Sequence, residues 1–445
     1  MRIIVALTLL AFFQIISTES AHASQQNVQY LGNFQRTGSY NVADTISEPE
    51  LKWKAEHYQI RAFKATVFGS ELIFTDYGFN SVYTETGRKR PRQGKSHRFI
   101  SAPALRDGVA YFCTAKSFLY EYDIRLGKSN WALKLPEGQT GASALWKELL
   151  ILPSESNTIQ AIDVDERKIR WRKKVSGFPS SVSLWNDVGL TSLLDNGLIS
   201  FDLQTGKQRW HILKGKRCIA PPLVLNNIAV IASLPVVLRK NRNTTLSFVD
   251  IKSGKILNTA KVPGCNFYPL AASRKSIFVP TDDGLVIVRH EAAEPTGKTL
   301  RCFQGEYIFG VSGSDEAAYV NARGFIGAVD DNRAKELWRY SARLIQGNAP
   351  IITKDSVITH CGYSIVALQQ SRQSAAPAPK EKAEEKTRRD KDYGYVDKSG
   401  KRAFKASFSG AEPFSEGVAQ VRLDGKLGYI DKKGNWLIRP TFHSA

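Results

Sequence analysis

One spacing recurs through most of this chain and constrains its fold more than any other feature: an aspartate lies eight residues before a tryptophan. Four segments carry it, "YEYDIRLGKSNW", "QAIDVDERKIRW", "ISFDLQTGKQRW" and "GAVDDNRAKELW". The pairs are Asp123 with Trp131, Asp163 with Trp171, Asp202 with Trp210, and Asp330 with Trp338. "SFVDIKSGKILN" repeats the pattern from Asp250 with Asn258 in the tryptophan's position, and "SVYTETGRKRP" is a degenerate copy from Tyr83.

The copies follow each other at nearly constant intervals. From Tyr83 to Asp123 is 40 residues, and the next three intervals are 40, 39 and 48. The 80 residues from Asp250 to Asp330 leave room for a hidden copy near His290, and Gln369 lies 39 residues beyond Asp330. Eight units of about 40 residues result, a period typical of solenoids, propellers and arrays.

Each unit has the pattern of a small antiparallel sheet. "APALRDGVAYFCTAKSFLYEYD" alternates short apolar runs with Asp-Gly and other turn signals, and no unit shows helical periodicity. The Asp-x-x-x-Gly-Lys segment then turns the chain into a fourth strand that carries the tryptophan. Four strands per unit, repeated radially, form the blade of a β-propeller.

The repeated residues are interpreted as structural. A tryptophan ring is well suited to packing between neighbouring blades, since an aromatic side chain buries about 150–250 Å². Gly206 and Gly254 allow positive φ in the exposed turn, and the lysine after each stays in water. No single copy is therefore expected to be a binding or catalytic site.

The two ends of the repeat region complement each other. The last unit, "IITKDSVITHCGYSIVALQQ", stops near Gln369 without a tryptophan strand, whereas "ELKWKAE" near the N-terminus resembles "KELWRYSA" of the preceding unit. We expect residues 51–55 to form the outer strand of the last blade, with Trp53 in the position that Trp338 holds one blade earlier. The predicted fold is all-β: an eight-bladed propeller closed by an N-terminal strand, which removes an open sheet edge.

The motif "DLQTGKQRW" resembles the repeat of the pyrroloquinoline-quinone-type (PQQ-like) propeller superfamily, Ala-x-Asp-x-x-Thr-Gly-Lys-x-x-Trp. "LGNFQRTGSYN", followed by "ELKWKAE", is similar to that superfamily's opening segment. The resemblance covers residues 27–370. It implies the fold; for function it leaves open a quinoprotein dehydrogenase, an outer-membrane assembly factor, or a sensor or scaffold domain.

The enzyme alternative depends on residues that this chain lacks. In quinoprotein dehydrogenases, the resemblance implies a quinone between a tryptophan and a disulfide of adjacent cysteines, with calcium at its edge. The five cysteines here, at positions 113, 218, 265, 302 and 361, are far apart and have no C-x-x-C spacing. We expect mostly buried thiols, with one bridge left open, and no zinc site.

No H-E-x-x-H, P-loop, G-x-G-x-x-G or G-x-S-x-G motif occurs. "TDDGLV", with Asp282 and Asp283, is interpreted as a hairpin turn rather than a calcium loop. We therefore expect no catalytic residue, no cofactor and no metal.

The terminal regions differ in composition from the repeats. Residues 1–23 resemble a signal peptide, with Arg2, a 14-residue apolar run and "AHA" before Ser24; an uncleaved anchor is the alternative. No other run is apolar enough to span a membrane, so an exported protein, periplasmic or secreted, is expected. Residues 371–392 are predicted to form a charged, disordered linker. Residues 393–445, with "YGYVDKSGKRAF" and "LGYIDKKGNWLI", resemble the WG-repeat family and imply a small β module for binding or docking.

The net charge of +20, from 62 Lys and Arg against 42 Asp and Glu, favours an anionic partner. Three basic segments lie on or after outer strands, "RKRPRQGKSHR", "RKIRWRKK" and "KGKR". The candidate docking residues are Arg88, Lys89, Arg90 and Arg92; a merely solvated rim is the alternative. Export removes nucleic acid as the default partner. We expect a monomer that docks an envelope protein or an anionic envelope polymer, with a dehydrogenase and an outer-membrane assembly scaffold as alternative functions.

Overall fold

A computed structural model describes residues 45–56, 64–75, 79–90, 102–235, 243–291, 294–342, 349–361 and 364–371. In the C-terminal region it also describes residues 395, 408, 410–411, 414, 417–423 and 426–443. The chain divides into two compact units, residues 1–374 and 375–445. Throughout the described ranges the regular structure is β-strand, and no helix there has the length and apolarity to span a membrane. The predicted signal peptide, residues 1–23, and linker, residues 371–392, lie outside the described residues except for Ser371.

The described part of unit one contains eight antiparallel sheets, numbered here in chain order. Sheet 1 contains β2 (Lys64–Phe68), β3 (Glu71–Thr75) and β4 (Phe79–Tyr83). Sheet 2 contains β5 (Ala104–Arg106), β6 (Val109–Cys113), β7 (Phe118–Asp123) and β8 (Lys128–Lys134). Sheet 3 contains β9 (Ala144–Trp146), β10 (Leu149–Ser154), β11 (Thr158–Asp163) and β12 (Lys168–Lys174). Sheet 4 contains β13 (Ser183–Trp185), β14 (Val188–Leu193), β15 (Gly197–Asp202) and β16 (Gln208–Ile212).

The second half continues the same pattern. Sheet 5 contains β17 (Leu223–Leu225), β18 (Ile228–Ser233), β19 (Thr244–Asp250) and β20 (Ile256–Val262). Sheet 6 contains β21 (Ala271–Ala272), β22 (Ser276–Thr281), β23 (Gly284–Glu291) and β24 (Glu294–Cys302). Sheet 7 contains β25 (Ile308–Gly313), β26 (Ala317–Ala322), β27 (Phe325–Asp330) and β28 (Lys335–Ser341). Sheet 8 contains β29 (Ile351–Ile352), β30 (Ser356–Cys361), β31 (Ser364–Gln370) and the N-terminal β1 (Pro49–Glu56).

The hairpin turns follow the turn chemistry of the sequence. Asp107 and Gly108 connect β5 to β6 with φ of 51° and 81°, the positive values that a two-residue type I′ turn requires. Asp282 and Asp283 connect β22 to β23, where Thr281 pairs with Gly284, so the predicted hairpin turn is confirmed. The hidden copy expected near His290 is sheet 6.

The strand β1 pairs with β31 in the manner of an outer strand. Trp53 lies opposite Ala367, as Trp338 lies opposite Ala328. The register shift in β1 falls just before Trp53, and the outer strands of sheets 2, 3, 4 and 7 shift just before their tryptophans. The expected pairing of the N-terminal strand with the last sheet is therefore observed.

Consecutive sheets pack face to face through apolar clusters. Within the described residues, seven such clusters join sheet 1 to 2, 2 to 3, and so on to 7 and 8. A further cluster joins sheet 8 back to sheet 1 and includes Trp53, Leu72, Phe74 and Ile365. This order favours a closed eight-bladed ring; the blade number and the closure remain predictions, tested below.

The second unit contains a separate small sheet. Its strands, in order, are β32 (Gly410–Ala411), β33 (Val418–Leu423), β34 (Lys426–Asp431) and β35 (Trp436–His443). Phe408, Ala419, Val421 and Ile430 form its core. "LGYIDKKGNWLI" forms the β34–β35 hairpin, as predicted, whereas most of "YGYVDKSGKRAF" lies outside the described residues.

Candidate anion-docking surface

The turn before each outer strand is held by its aspartate. In sheet 4, the Asp202 carboxylate accepts hydrogen bonds from the Thr205 amide at 2.9 Å and the Thr205 hydroxyl at 2.8 Å. The Gly206 amide donates to the Asp202 carbonyl at 2.8 Å. Asp250 repeats this arrangement in sheet 5, and hydrogen bonds from Ser253 lower the pKa of its carboxyl group.

The same capping occurs in the other copies. The carboxylates of Asp123, Asp163 and Asp330 each accept a hydrogen bond from the amide three residues later, at 2.7, 2.7 and 2.9 Å. The repeated aspartate is thus an Asx-type turn former, which fits its structural interpretation.

The glycine of the turn lies under the tryptophan of the preceding sheet. Gly206 has φ of 68°, and a Cβ atom there would lie 2.5 Å from Trp171. Gly254 has φ of 74°, and its Cβ would lie 2.8 Å from Trp210. Glycine is therefore required twice over, by backbone conformation and by close approach of the indole ring.

The indole N–H groups of Trp53, Trp171, Trp210 and Trp338 donate hydrogen bonds across to the next segment. Trp171 donates to the Leu203 carbonyl at 2.9 Å, Trp210 to Ile251 at 2.8 Å, and Trp53 to Thr84 at 2.7 Å. These acceptors each lie one residue after the repeat aspartate or its equivalent. Trp338 donates instead to the Ile46 carbonyl at 2.6 Å, so the N-terminal segment supplies the acceptor that sheet 8 lacks.

The first predicted basic segment is partly built into the fold. Arg88 and Lys89 are exposed, whereas Arg90 is half-buried. The Arg90 guanidinium donates to Glu71 at 2.7 Å and to the Ile124 carbonyl at 2.7 Å, which links sheets 1 and 2. Arg92 lies outside the described residues. Only Arg88 and Lys89 of the four candidates are thus seen as exposed cations.

The second basic segment, β12, contains both neutralised and free cations. The Arg170 guanidinium contacts the carboxylates of Asp163 and Glu166 at 2.8 and 3.2 Å, and Arg172 pairs with Glu137. Lys173, three positions beyond Arg170, forms no ion pair with any described residue. The cationic charge of β12 is therefore concentrated at its C-terminal end.

A groove of about 420 Å³ lies beside that end, between sheets 3 and 4. Its apolar lining includes Ile159, Trp171, Val175, Ile199 and Phe201. Thr205, Gly206 and Gln208 contribute from the β15–β16 turn, and three lysines, Lys173, Lys174 and Lys207, complete the lining. No carboxylate is among the lining residues, so the groove combines an apolar floor with a cationic rim.

The third basic segment follows β16. Lys214 and Lys216 are exposed, and Arg217 pairs with Asp195, with a shortest separation of 2.5 Å. The hydrogen bond that Arg217 donates to the Asp195 carboxylate raises the pKa of Arg217, which stays charged. Within the described part of the chain, Lys214 and Lys216 have no carboxylate partner.

The residues that bear redox or metal chemistry are dispersed. All five cysteines are thiols; Cys113, Cys218, Cys265 and Cys302 are buried, and burial raises the pKa of Cys218 to about 12. Across the described residues, no three His, Cys, Asp or Glu side chains lie close enough together to hold a metal ion. These residues do not match the adjacent-cysteine arrangement that a quinone site would use.

Sequence reasoning missed the groove, although it identified the basic segment beside it. Lys207 was interpreted only as a turn residue, and Phe201 and Ile199 only as strand residues. A signal was present: Lys173 lies two residues after a repeat tryptophan, where the other copies that carry a tryptophan, or Asn258, have an apolar or aromatic residue.

Comparison with family models identifies both parts of the chain. The model described as outer membrane protein assembly factor BamB matches residues 47–195 and 146–268, and the WG containing repeat matches residues 393–426 and 428–445. This chain is a PQQ-like repeat propeller with a C-terminal WG-repeat segment. No curated protein matches it by sequence.

Solved structures share the fold at low sequence identity. BamB from Moraxella catarrhalis is 13% identical with a TM-score of 0.59, and the match covers 72% of this chain and 100% of BamB. The quinohemoprotein alcohol dehydrogenase from Comamonas testosteroni is 11% identical with a TM-score of 0.60, covering 80% of this chain and 82% of that one. The computationally designed Ika8 protein is 14% identical with a TM-score of 0.60, covering 72% and 99%. These similarities establish the all-β propeller fold.

Proposed function

We propose that this protein is an exported, non-enzymatic binding or scaffolding propeller that docks an envelope protein or an anionic envelope component. One observation carries the proposal: exposed cations without carboxylate partners in the described residues lie on or next to sheets 1, 3 and 4, beside arginines that are neutralised by carboxylates. These cations are Arg88, Lys89, Lys173, Lys207, Lys214 and Lys216. In a protein with a net charge of +20, these exposed cations attract anionic surfaces.

The test is capture of envelope partners by the mature protein at low and at physiological salt. Exposed charges are screened beyond about 8 Å at 0.15 M salt, so rim-mediated binding weakens steeply over this range. Charge reversal at Arg88 and Lys89 together should reduce capture. Arg90 is left unchanged because it links sheets 1 and 2.

Reversal of Lys255 and Lys261 is the matched control. Both are exposed on sheet 5, and their reversal changes the net charge equally at a different place. If capture is insensitive to salt, or is reduced equally by both pairs of reversals, the exposed cations serve only to solvate the surface and do not dock a partner.

A second candidate function is a scaffold for outer-membrane protein assembly. The BamB family model matches residues 47–268, and the propeller covers the whole of the Moraxella catarrhalis BamB chain. Co-purification of the mature protein with outer-membrane assembly components, after crosslinking in cells, would favour this role over docking of an anionic polymer.

The dehydrogenase alternative is tested directly. Because no two cysteines are adjacent, we expect no stoichiometric binding of pyrroloquinoline quinone in the presence of calcium, measured by absorbance after gel filtration. Retention of the quinone, or dye reduction with an alcohol or sugar, would overturn the non-enzymatic proposal.

A further inference from the structure

Lys173 differs from the equivalent residue of the other repeats that carry a tryptophan or, at Asn258, an asparagine. Two residues after the tryptophan position, the side chain lies on the same side of the outer strand as the tryptophan, toward the next sheet. In these repeats the residues at this position are Ala55, Leu133, Ile212, Ala260 and Tyr340. Each belongs to, or packs against, an apolar cluster between two sheets. Lys173 alone among them is charged and exposed.

This exchange explains why the groove exists. Lys173 lies opposite Ile159 in the sheet, as Ile212 lies opposite Leu198 one sheet later. Its stem passes close to Gly206, since a Cβ at Gly206 would lie 2.9 Å from Lys173 Cγ. The apolar side chain that would fill the space over Ile199 and Phe201 is missing, and a groove of about 420 Å³ remains. That volume is within the range of ligand pockets, about 300–1,000 Å³.

The lysines around the groove favour a ligand that carries negative charge. Lys173 and Lys207 form no ion pair with a described residue, whereas the Lys174 ammonium donates to the Ser156 carbonyl at 2.7 Å. Lys173 therefore offers one cation on one side of the groove, and Lys207 offers a second on the other side. An apolar group flanked by carboxylates complements this surface.

The strand beside the groove offers a main-chain edge. β12 is the outermost strand of sheet 3 and pairs only with β11 among the described strands. An extended peptide can add to such an edge by backbone hydrogen bonds while alternate side chains enter pockets. A peptide segment matches this geometry better than a lipid headgroup, which has no strand to pair.

We propose that the groove between sheets 3 and 4 binds an extended acidic peptide segment of a partner protein. One apolar side chain of that segment fills the space left by Lys173, and flanking carboxylates pair with Lys173 and Lys207. This inference rests on the proposed binding function and specifies one of its sites.

The test is selection of a random seven-residue peptide library, displayed on phage, against the full-length protein. Enriched sequences should contain an apolar residue flanked by Asp or Glu. A synthetic peptide of the selected sequence should bind Lys173→Leu at least tenfold more weakly in fluorescence anisotropy, because leucine restores the missing apolar side chain and fills the groove. Lys173→Gln combined with Lys207→Gln leaves the space unfilled but should weaken binding and flatten its salt dependence.

Lys261→Leu, at an exposed lysine of sheet 5, is the matched control and should bind the peptide as wild type does. Circular dichroism and thermal unfolding verify that Lys173→Leu is folded; its Tm should be equal to or above that of wild type. Enrichment of non-acidic peptides, no enrichment at all, or full binding by Lys173→Leu would overturn the proposal. If wild type bound anionic phospholipid vesicles more strongly than the peptide, and Lys173→Leu lost that vesicle binding, the peptide proposal would be wrong and the groove would be assigned to a lipid. None of these results would change the capture of envelope partners that depends on Arg88 and Lys89. The peptide groove can therefore be wrong while the proposed docking function is right.

Discussion

At the scale of single residues, the repeat motif is a joint between sheets. The aspartate holds the turn, the glycine admits the indole ring, and the tryptophan donates its N–H to the neighbouring sheet. Where the glycine is replaced, the backbone conformation is retained: Arg167 and Ala334 have φ of 58° and 53°. Arg167 places its guanidinium carbon 5.8 Å from the centre of the Trp131 ring. Other residues can thus adopt the positive φ, and glycine is required where the indole ring lies directly against the turn, as it does at Gly206 and Gly254.

Gly206→Ala should lower the free energy of unfolding by about 2–5 kcal/mol. Positive φ costs a non-glycine residue about 1–2 kcal/mol, and overpacking against Trp171 adds about 1–3 kcal/mol. Gly215→Ala is the matched control, since Gly215 has φ of 70° but no atom within 4 Å of its added Cβ. Urea denaturation measures the free energy of unfolding of the two variants. Equal decreases would show that the contact with the Trp171 ring does not contribute to the cost of Gly206→Ala.

His360 should make stability depend on pH above the range in which carboxylates titrate. Burial lowers the pKa of His360 to about 4, and burial also lowers the pKa of His290. The unfolded chain therefore binds protons below about pH 6.5 that the folded chain does not, so stability falls as pH falls from about 6.5 to about 4.

For His360 alone, this loss is about 2 kcal/mol between pH 7 and pH 5. His360→Gln should show a shallower decline over the same interval, with His290 responsible for the remainder. Urea denaturation at each pH provides the measurement. An unchanged slope in the variant would show that His360 is protonated in the folded protein.

At the scale of the sheets, apolar packing is supplemented by a buried ion pair between sheets 6 and 7. The Asp331 carboxylate is 1% exposed and accepts hydrogen bonds from the Ser273 hydroxyl at 2.6 Å and from the Ser276 hydroxyl and Arg289 guanidinium at 2.5 Å. Arg289 also donates to the Asn332 carbonyl at 2.8 Å. The guanidinium thus joins the hairpin of sheet 6 to the turn of sheet 7.

Asp331→Asn should destabilise the protein by about 3 kcal/mol, because it leaves the half-buried Arg289 guanidinium without its counterion. Asp315→Asn is the control: Asp315 pairs with Arg274 at 3.1 Å, but both side chains are exposed. That pair should contribute less than about 1 kcal/mol. Similar losses in the two variants, measured by denaturant unfolding, would contradict the role of the buried pair.

At the scale of the whole molecule, the N-terminal segment completes the last sheet. It supplies β1 to sheet 8, the Ile46 carbonyl to Trp338, and Trp53 to the cluster between sheets 8 and 1. Lys52 adds ion pairs to Glu85 at 2.8 Å and to Asp355 at 2.6 Å, which lie on sheets 1 and 8. A closed ring of eight blades would place all of these contacts at one seam.

A variant lacking residues 28–56 should aggregate and become sensitive to protease, since β31 is left as an open edge. A variant lacking residues 371–445 should keep the propeller folded, because that region forms a separate compact unit. Limited proteolysis and gel filtration compare the two. A folded, monomeric protein without residues 28–56, or an experimental structure with another blade number, would refute closure by this strand.

The sequence by itself was sufficient to predict the strands, the repeat length, the outer position of the tryptophan strand, the pairing of Trp53 with the last sheet and the small C-terminal sheet. These features depend on local alternation and turn chemistry, and eight copies of one unit make that pattern visible. The basic character of β12 was also predicted, because the run "RKIRWRKK" is visible in the sequence.

Tertiary structure decided which of those cations are available. Arg90 forms hydrogen bonds that link sheets 1 and 2, so it is unavailable to a partner. Lys173 instead lines a groove whose opposite wall includes Phe201 of the next unit. The Arg289–Asp331 pair joins residues 42 positions apart. Such contacts arise between units, where close packing determines which side chains meet, and a repeat pattern specifies each unit but not the few positions at which neighbouring units differ.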